Sequence, residues 1–279
     1  MTVGEALQSV RARLAGAGIE SADAEAWLLL ETLLTVTRAE LLLNRTSVLS
    51  ENQYQQLEAW LELREAREPL QHILGVAHFY GLTLRVTPEV LVPRPETEVL
   101  VELGLGRLRG NDQPNVLEVG TGSGAIALAL KTERPDATVW ATDISEGALE
   151  VAKANAQNLG LDVRFRVADL LDDPGLQTFA QRTDLLIANL PYLPESDVEG
   201  LSPEVQRDPP GALFSGVDGL EHFRRLAAQA WPLLEPGAAA LFELDPRNVE
   251  SAELESKAWA AASLHRDLTG RVRFLLLTR

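Results

Sequence analysis

Residues 115–130 read N-V-L-E-V-G-T-G-S-G-A-I-A-L-A-L, passing without a break from an apolar strand through a glycine-rich turn into an apolar helix. Gly120, Gly122 and Gly124 free the backbone to turn sharply and let a ligand approach the main chain, while N–H groups of the new helix point at it. Thr121 and Ser123 complete the loop. Gly120-x-Gly122-x-x-Ala125 also satisfies a permitted variant of the dinucleotide pattern. The next apolar run, T-V-W-A-T-D-I, ends in Asp143, at the separation from the loop where a carboxylate binds a ribose diol. Loop and carboxylate together predict a nucleoside-containing cofactor.

Working outward, the alternation continues. A helix is expected from Gly147 to Leu159, then a strand V-R-F-R-V-A-D-L-L ending in Asp169 and Leu170. The apolar run Asp184 to Ala188 is cut off by the turn formers Asn189-Leu190-Pro191-Tyr192. Strands alternating with helices imply an α/β, doubly wound, Rossmann-like sheet with right-handed crossovers. Gly120 to Gly124, Asp143, Asp169 and Asn189 then share one sheet edge, where such folds bind ligands. At that edge Asp169 either accepts a hydrogen bond from an adenine amino group, with Leu170 lining the ring, or simply caps its strand. Asn189 can bind an NH2 group through its side-chain oxygen, the Leu190 carbonyl can take the second N–H, and Tyr192 can pack on the flat face of that group beside Pro191. Beyond Tyr192 lies a long loop rich in Pro and Gly, read as a substrate-covering segment. Leu220 to Leu234 reads as a helix, A-A-A-L-F-E-L as a strand, Asn248 to Ala262 as a helix and R-V-R-F-L-L-L-T-R as the final strand.

Upstream the pattern is helical. Thr2 with Glu5, Thr37 with Glu40 and Ser50 with Gln53 have capping-box spacing, and a further helix is expected from Ser21 to Leu34. Residues 1–70 are therefore read as a small helical bundle, either a structural lid or a module recognising a macromolecular substrate. Residues 71–95 read as a β-hairpin or extended connector, and 96–279 as the α/β domain. Pro95 and the acids of Arg94-Pro-Glu-Thr-Glu98 suit the first turn of a helix through Val99 to Leu108, so capping accounts for Glu96 and Glu98 locally.

The chain has 279 residues, no cysteine, 46% hydrophobic and 24% charged residues, and a formal net charge of -16 with a pI near 4.7. The acidic balance opposes broad attachment to nucleic acid and fits a basic protein partner better. The four histidines lack metal-ligand spacing, so no metal is expected. No apolar run approaches a membrane span, and the amino-terminus has no basic leader followed by an apolar block, which favours the cytoplasm.

Taken together the chain resembles the release-factor glutamine methyltransferases, the HemK-type family. The resemblance rests on R-P-E-T-E at Arg94 to Glu98, G-T-G-S-G-A-I-A-L-A at Gly120 to Ala129, D-I-S at Asp143 to Ser145, A-N-L-P-Y at Ala188 to Tyr192 and G-x-D-G-L at Gly216 to Leu220, behind a helical amino-terminal domain. It implies S-adenosyl-L-methionine as cofactor, held by Gly120 to Gly124, Asp143, Asp169, Leu170 and Asn189, and peptide chain release factors as partners. It further implies a glutamine amide bound by Asn189, Leu190, Pro191 and Tyr192, with Asn189 and Tyr192 catalytic and Arg94 and Glu96 shaping the pocket. A monomeric enzyme is expected. The family's motif is Asn-Pro-Pro-Tyr; Leu190 replaces its first proline, and Asn-Leu-Pro-Tyr looks like the motif of ribosomal-RNA adenine dimethyltransferases. Those resemble basic proteins with the extra domain after the catalytic one, whereas this chain is acidic and carries its helices first. The alternatives are an adenine N6-methyltransferase acting on RNA or DNA and a non-catalytic, translation-associated nucleoside-binding protein. A nicotinamide oxidoreductase is opposed by the lack of a Tyr-x-x-x-Lys pair.

Overall fold

The computed structural model describes residues 1–279, which divide into two compact units: Met1–Gly75 with Ser202–Arg207, and Val76–Leu201 with Asp208–Arg279. The first unit holds α1 (Val3–Gly16), α2 (Ala22–Leu34), α3 (Arg38–Leu43), α4 (Glu51–Glu65) and α5 (Leu70–Leu74). All three capping boxes form, each satisfying backbone N–H groups from both sides of the box. Leu14, Leu29, Leu30, Leu57 and Leu61 fill the core of this unit. Arg64, also buried, pairs with Glu25 at 2.7 Å and with Glu204 at 2.9 Å, so the short segment 202–207 is fastened to the bundle.

The second unit opens with a hairpin of β1 (Val76–Phe79) and β2 (Leu82–Arg85), then α6 (Thr97–Arg107). The α/β part follows as β3 (Asn115–Val119), α7 (Ala125–Glu133), β4 (Thr138–Asp143), α8 (Glu146–Leu159), β5 (Arg164–Val167), α9 (Pro174–Ala180) and β6 (Leu185–Ala188). Three short 3-10 turns lead to α10 (Glu221–Ala230), β7 (Ala239–Glu243), α11 (Val249–Glu255), β8 (Ala261–Arg266) and β9 (Val272–Thr278). The seven-stranded sheet runs β5-β4-β3-β6-β7-β9-β8. From β5 to β7 every pairing is parallel, and β6 is apolar and buried along its whole length, as a strand covered on both faces must be. The chain winds outward from β3 through β5, then returns to lay β6 on the other side of β3. That reversal is the topological switch point where open α/β sheets bind ligands.

The carboxyl-terminal region departs from the sequence reading. The helix expected over Asn248 to Ala262 is only α11, and Ala261–Arg266 forms an antiparallel hairpin with β9, so the sheet is mixed. β8 is an edge strand made largely of alanine, serine and other exposed residues, so it carries no alternating apolar signal. The cue is the turn: Gly270 has φ 85° and donates its N–H to the Asp267 carbonyl, while the Asp267 carboxylate accepts from Thr269 N–H. α9 was also missed; its start is marked by Pro174 behind Asp173, whose side chain accepts from Leu176 N–H.

Candidate active site

The loop after β3 is held by the neighbouring strand: Gly120 and Thr121 N–H both donate to the Thr142 carbonyl at 2.8 Å. Gly120 has φ 77°, and a Cβ there would lie 2.7 Å from Leu190 Cδ2, so glycine is what lets Leu190 seat over the loop. At the end of β4 the Asp143 carboxylate accepts from Gly122 N–H and from Ser145 N–H, both at 2.9 Å. Burial pushes its pKa up despite those bonds. Buried Asn155 of α8 ties the loop to the hairpin, donating to the Ser123 and Arg85 carbonyls and accepting from Arg85 N–H.

Glu118, two residues before Gly120, is wholly buried. One carboxyl oxygen takes the Thr121 hydroxyl at 2.6 Å and the Ala127 N–H at 3.0 Å, and the other, Oε1, has no hydrogen-bond partner. Burial pushes this carboxyl up to about 8, offset in part by the Thr121 and Ala127 bonds.

A second group of residues gathers where β6 ends. Asn189 Nδ2 donates to the hydroxyl of Thr97, the first residue of α6, at 3.1 Å. Its Oδ1 accepts nothing from the chain. Behind Thr97 lies Glu243, the last residue of β7, 2% exposed. Burial pushes it up to about 7; hydrogen bonding from the Thr97 and Tyr192 hydroxyls and the charge of Arg273 act against this, and Glu96 adds to it. Its Oε2 has no hydrogen-bond partner. The backbone of the motif is clamped from the far side. The Tyr192 carbonyl accepts from Asn248 Nδ2, and Leu193 exchanges backbone hydrogen bonds with Leu213 and Ser215. A Cβ at Gly219, φ 77°, would lie 2.2 Å from the Tyr192 carbonyl oxygen. The G-x-D-G-L stretch is therefore the seat of Tyr192.

Between these groups lies a cavity of about 330 Å³. Gly120 to Ser123, Asp143, Asp169, Leu170, Asn189 to Pro191 and Arg94 all line it. Gly124 instead caps α7, Glu96 stands at the start of α6, and the Tyr192 hydroxyl faces Glu243 and Arg273 from outside the cavity lining. Burial first, and then the Glu243 charge, raise the Tyr192 phenol. Arg94 pairs with buried Asp208, and Glu98 accepts from the N–H of Tyr80, whose φ is 48°; R-P-E-T-E thus organises backbone as much as it caps a helix. Asp169 Oδ2 is taken by Arg225 at 2.7 Å, leaving its other oxygen, and Leu170 holds φ 54° beside it.

Three wall residues, Thr97, Glu118 and Arg225, have no reading of their own in the sequence, and a fourth, His222, reads there only as one of four ordinary histidines. Thr97 and Glu118 were inside quoted motifs, but their importance depends on partners far away in sequence. His222, whose Nδ1 lies 2.7 Å from Ser215 Oγ, and Arg225 come from one face of α10. The i, i+3 spacing on that helix is the signal that was available.

A sheet parallel from β5 to β7, with a glycine loop, a strand-end carboxylate and a strand-end amide around one cavity at the switch point, defines a Rossmann-like methyltransferase domain. Residues 116–207 match the Methyltransferase domain model, and residues 5–75 match the PrmC N-terminal domain model. The T. thermophilus 16S rRNA methyltransferase solved with AdoMet and guanosine shares the fold at a TM-score of 0.55 and 17% identity, over 73% of this chain and 49% of that one. The release factor glutamine methyltransferase of Deinococcus radiodurans is 44% identical over 100% of this chain and 99% of its own length, and that of Rhodospirillum rubrum 38% identical over 100% and 86%. The chain belongs to the release factor glutamine methyltransferase family.

Proposed function

We propose that this protein transfers the methyl group of S-adenosylmethionine to the side-chain amide nitrogen of a glutamine in a peptide chain release factor. The observation that carries the reading is the Asn189 amide: its Nδ2 is committed to Thr97, and its Oδ1 is left as an acceptor on the wall of a cavity that also holds the glycine loop. A glutamine NH2 group matches that acceptor, with the Leu190 carbonyl taking the second N–H. Leucine keeps the carbonyl that proline would have supplied.

The residues present fit the cofactor. Glu118 offers an orphaned carboxyl oxygen, held from ionising by burial, and a cationic ligand would relieve that burden. Gly120 to Gly124 give close approach to backbone, Asp143 a carboxylate for a ribose, and Asp169 and Leu170 an acceptor and an apolar surface for adenine. When bound, S-adenosylmethionine supplies a methyl group on a sulfonium leaving group. The chain's task is orientation, because an amide lone pair is delocalised and nucleophilically weak. Asn189 and Leu190 hold the nitrogen in line, a contribution that reaches about 7–11 kcal/mol in well-aligned systems. They would also meet the positive charge that the amide nitrogen gains on accepting the methyl group, before its proton is released.

Residues 1–70 recognise the release factor, 71–95 connect, and 96–279 carry out transfer. The net charge of -16 favours a protein over a nucleic acid partner, and this reading has the protein acting as a monomer in the cytoplasm, where release factors work. No helix is long and apolar enough to cross a membrane. The test is transfer to a purified release factor by wild type and Asn189→Ala. The variant is expected to lose about 10²–10³-fold in turnover while still binding S-adenosylmethionine. Turnover like the wild type would remove Asn189 from its role.

A further inference from the structure

The proton of the Ser215 hydroxyl has one place to go, and that fixes the state of His222. Ser215 is fully buried, and its Oγ already accepts the backbone N–H of His222 at 2.9 Å. Its one other side-chain partner is His222 Nδ1, at 2.7 Å. Were Nδ1 to carry a proton, the hydroxyl's own proton would be stranded in the interior, a cost that disfavours that tautomer. The network therefore makes Nδ1 the acceptor and leaves the ring proton on Nε2. Burial, and then the charge of Arg225, hold the imidazole pKa below its ordinary 6.5, against the opposing charges of Glu221 and Asp169, so the ring is neutral at neutral pH.

Nε2–H has no partner in the chain, and the ring lies on the cavity wall. Three residues further along α10, Arg225 donates to Asp169 Oδ2 at 2.7 Å, which holds this face of the helix against the end of β5 and leaves the other carboxylate oxygen of Asp169 open. Asp169 and Leu170 line the same cavity. We propose that His222 is a specificity-determining residue for the cofactor: its Nε2–H donates to a ring nitrogen of adenine while Asp169 accepts from the neighbouring amino group, and Ser215 positions the imidazole for that bond. This rests on the methyl-transfer reading above. It adds a donor from α10 to an adenine site otherwise assigned only to the end of β5.

The chemistry of the two groups is complementary to one edge of adenine. Its 6-amino group donates, and the ring nitrogens on either side of it, N1 and N7, accept. A carboxylate acceptor with a fixed N–H donor on the same stretch of wall matches that order. A 6-oxo purine has the same shape and sets an oxygen against the carboxylate, so Asp169 rejects it; Asp169 reads nothing of the ring nitrogens, and that part of the discrimination falls to His222. The assignment also accounts for Ser215. A hydroxyl with no exposure is unfavourable unless its hydrogen bonds are made, and both of those made by this one go to His222.

The experiment uses the full-length protein without a release factor. Titration calorimetry gives the Kd of S-adenosylhomocysteine, its 6-oxo analogue and its 1-deaza and 7-deaza analogues for wild type, His222→Ala and Ser215→Ala. In wild type one of the two deaza analogues is expected to bind about fivefold more weakly than S-adenosylhomocysteine, the worth of one hydrogen bond. His222→Ala is expected to weaken S-adenosylhomocysteine by a similar factor and to erase the deaza penalty, while the penalty on the 6-oxo analogue remains; Ser215→Ala keeps only part of the deaza penalty. No penalty for either deaza analogue in wild type, or a penalty that survives in His222→Ala, overturns the assignment. A ligand-free readout tests the positioning: in histidine-labelled protein the nitrogen signals of His222, identified by their loss in His222→Ala, are expected to show the Nε2–H tautomer in wild type and a mixture of tautomers in Ser215→Ala. An Nδ1–H ring in wild type overturns it. If the protein methylates no release factor yet shows the deaza penalty and its loss in His222→Ala, the functional reading fails and the assignment stands. If a release-factor glutamine is methylated and the penalty survives in His222→Ala, the assignment fails and the functional reading stands.

Discussion

The two walls of the cavity are built in opposite ways. The wall from Glu118 to Asn155 comes from one strand–helix–strand–helix stretch, and its geometry is mostly backbone: a loop at positive φ, N–H groups on Asp143, carbonyls on Asn155. The wall around Asn189 draws on Thr97, on Gly216 to Leu220, on Glu243 and on Asn248, and is held by single side-chain hydrogen bonds. The first wall is a local consequence of sequence, and on the proposed reading it serves the cofactor. The second is a long-range assembly, and on that reading one misplaced atom there would reach the reacting nitrogen.

The contrast is broken most severely at Gly219. Its φ of 77° and the 2.2 Å approach to the Tyr192 carbonyl leave no room for a methyl group. Gly219→Ala is expected to destabilise the protein by about 2 kcal/mol or more and to depress turnover, with cofactor affinity in the folded fraction intact. Thermal unfolding with and without S-adenosylmethionine checks it. Equal loss of cofactor binding would mean that the walls are not separable.

Next in size is a pH effect on the first wall. Folded Glu118 keeps its proton to about 8, whereas its ordinary value is 4.5. Between those values the folded protein binds more protons than the unfolded chain, so stability falls as pH rises through the window. Glu243, raised to about 7, adds to the same slope. Glu118→Gln is expected to flatten the decline and to weaken cofactor binding most above pH 8, where wild-type Glu118 is ionised. Denaturant unfolding across pH reads the first and titration calorimetry the second; an unchanged slope would remove Glu118 from the account. The smallest effect is at Leu190, where Leu190→Pro restores the family's motif. Leu190 Cδ2 packs over Gly120, so the change removes apolar contact while stiffening the turn, and kcat is expected to move by less than about tenfold.

Legibility in the sequence followed the same division. The glycine loop, Asp143 and the capping boxes at Thr2, Thr37 and Ser50 were readable because each is a relation between residues a few positions apart. Asn189 was readable as a strand end, but its orientation was not, since nothing near it in sequence names its hydrogen-bond partner Thr97. Tyr192 was read as a flat surface for the substrate, and its hydroxyl instead faces Glu243. β8 escaped because an exposed edge strand needs no apolar alternation.

The most direct test offers purified peptide chain release factors and ribosomal RNA together to the wild-type protein with labelled S-adenosylmethionine, and locates the label by mass spectrometry. The account predicts one methyl group on a release-factor glutamine amide and none on RNA. Label on an RNA adenine, with the release factors untouched, would contradict it.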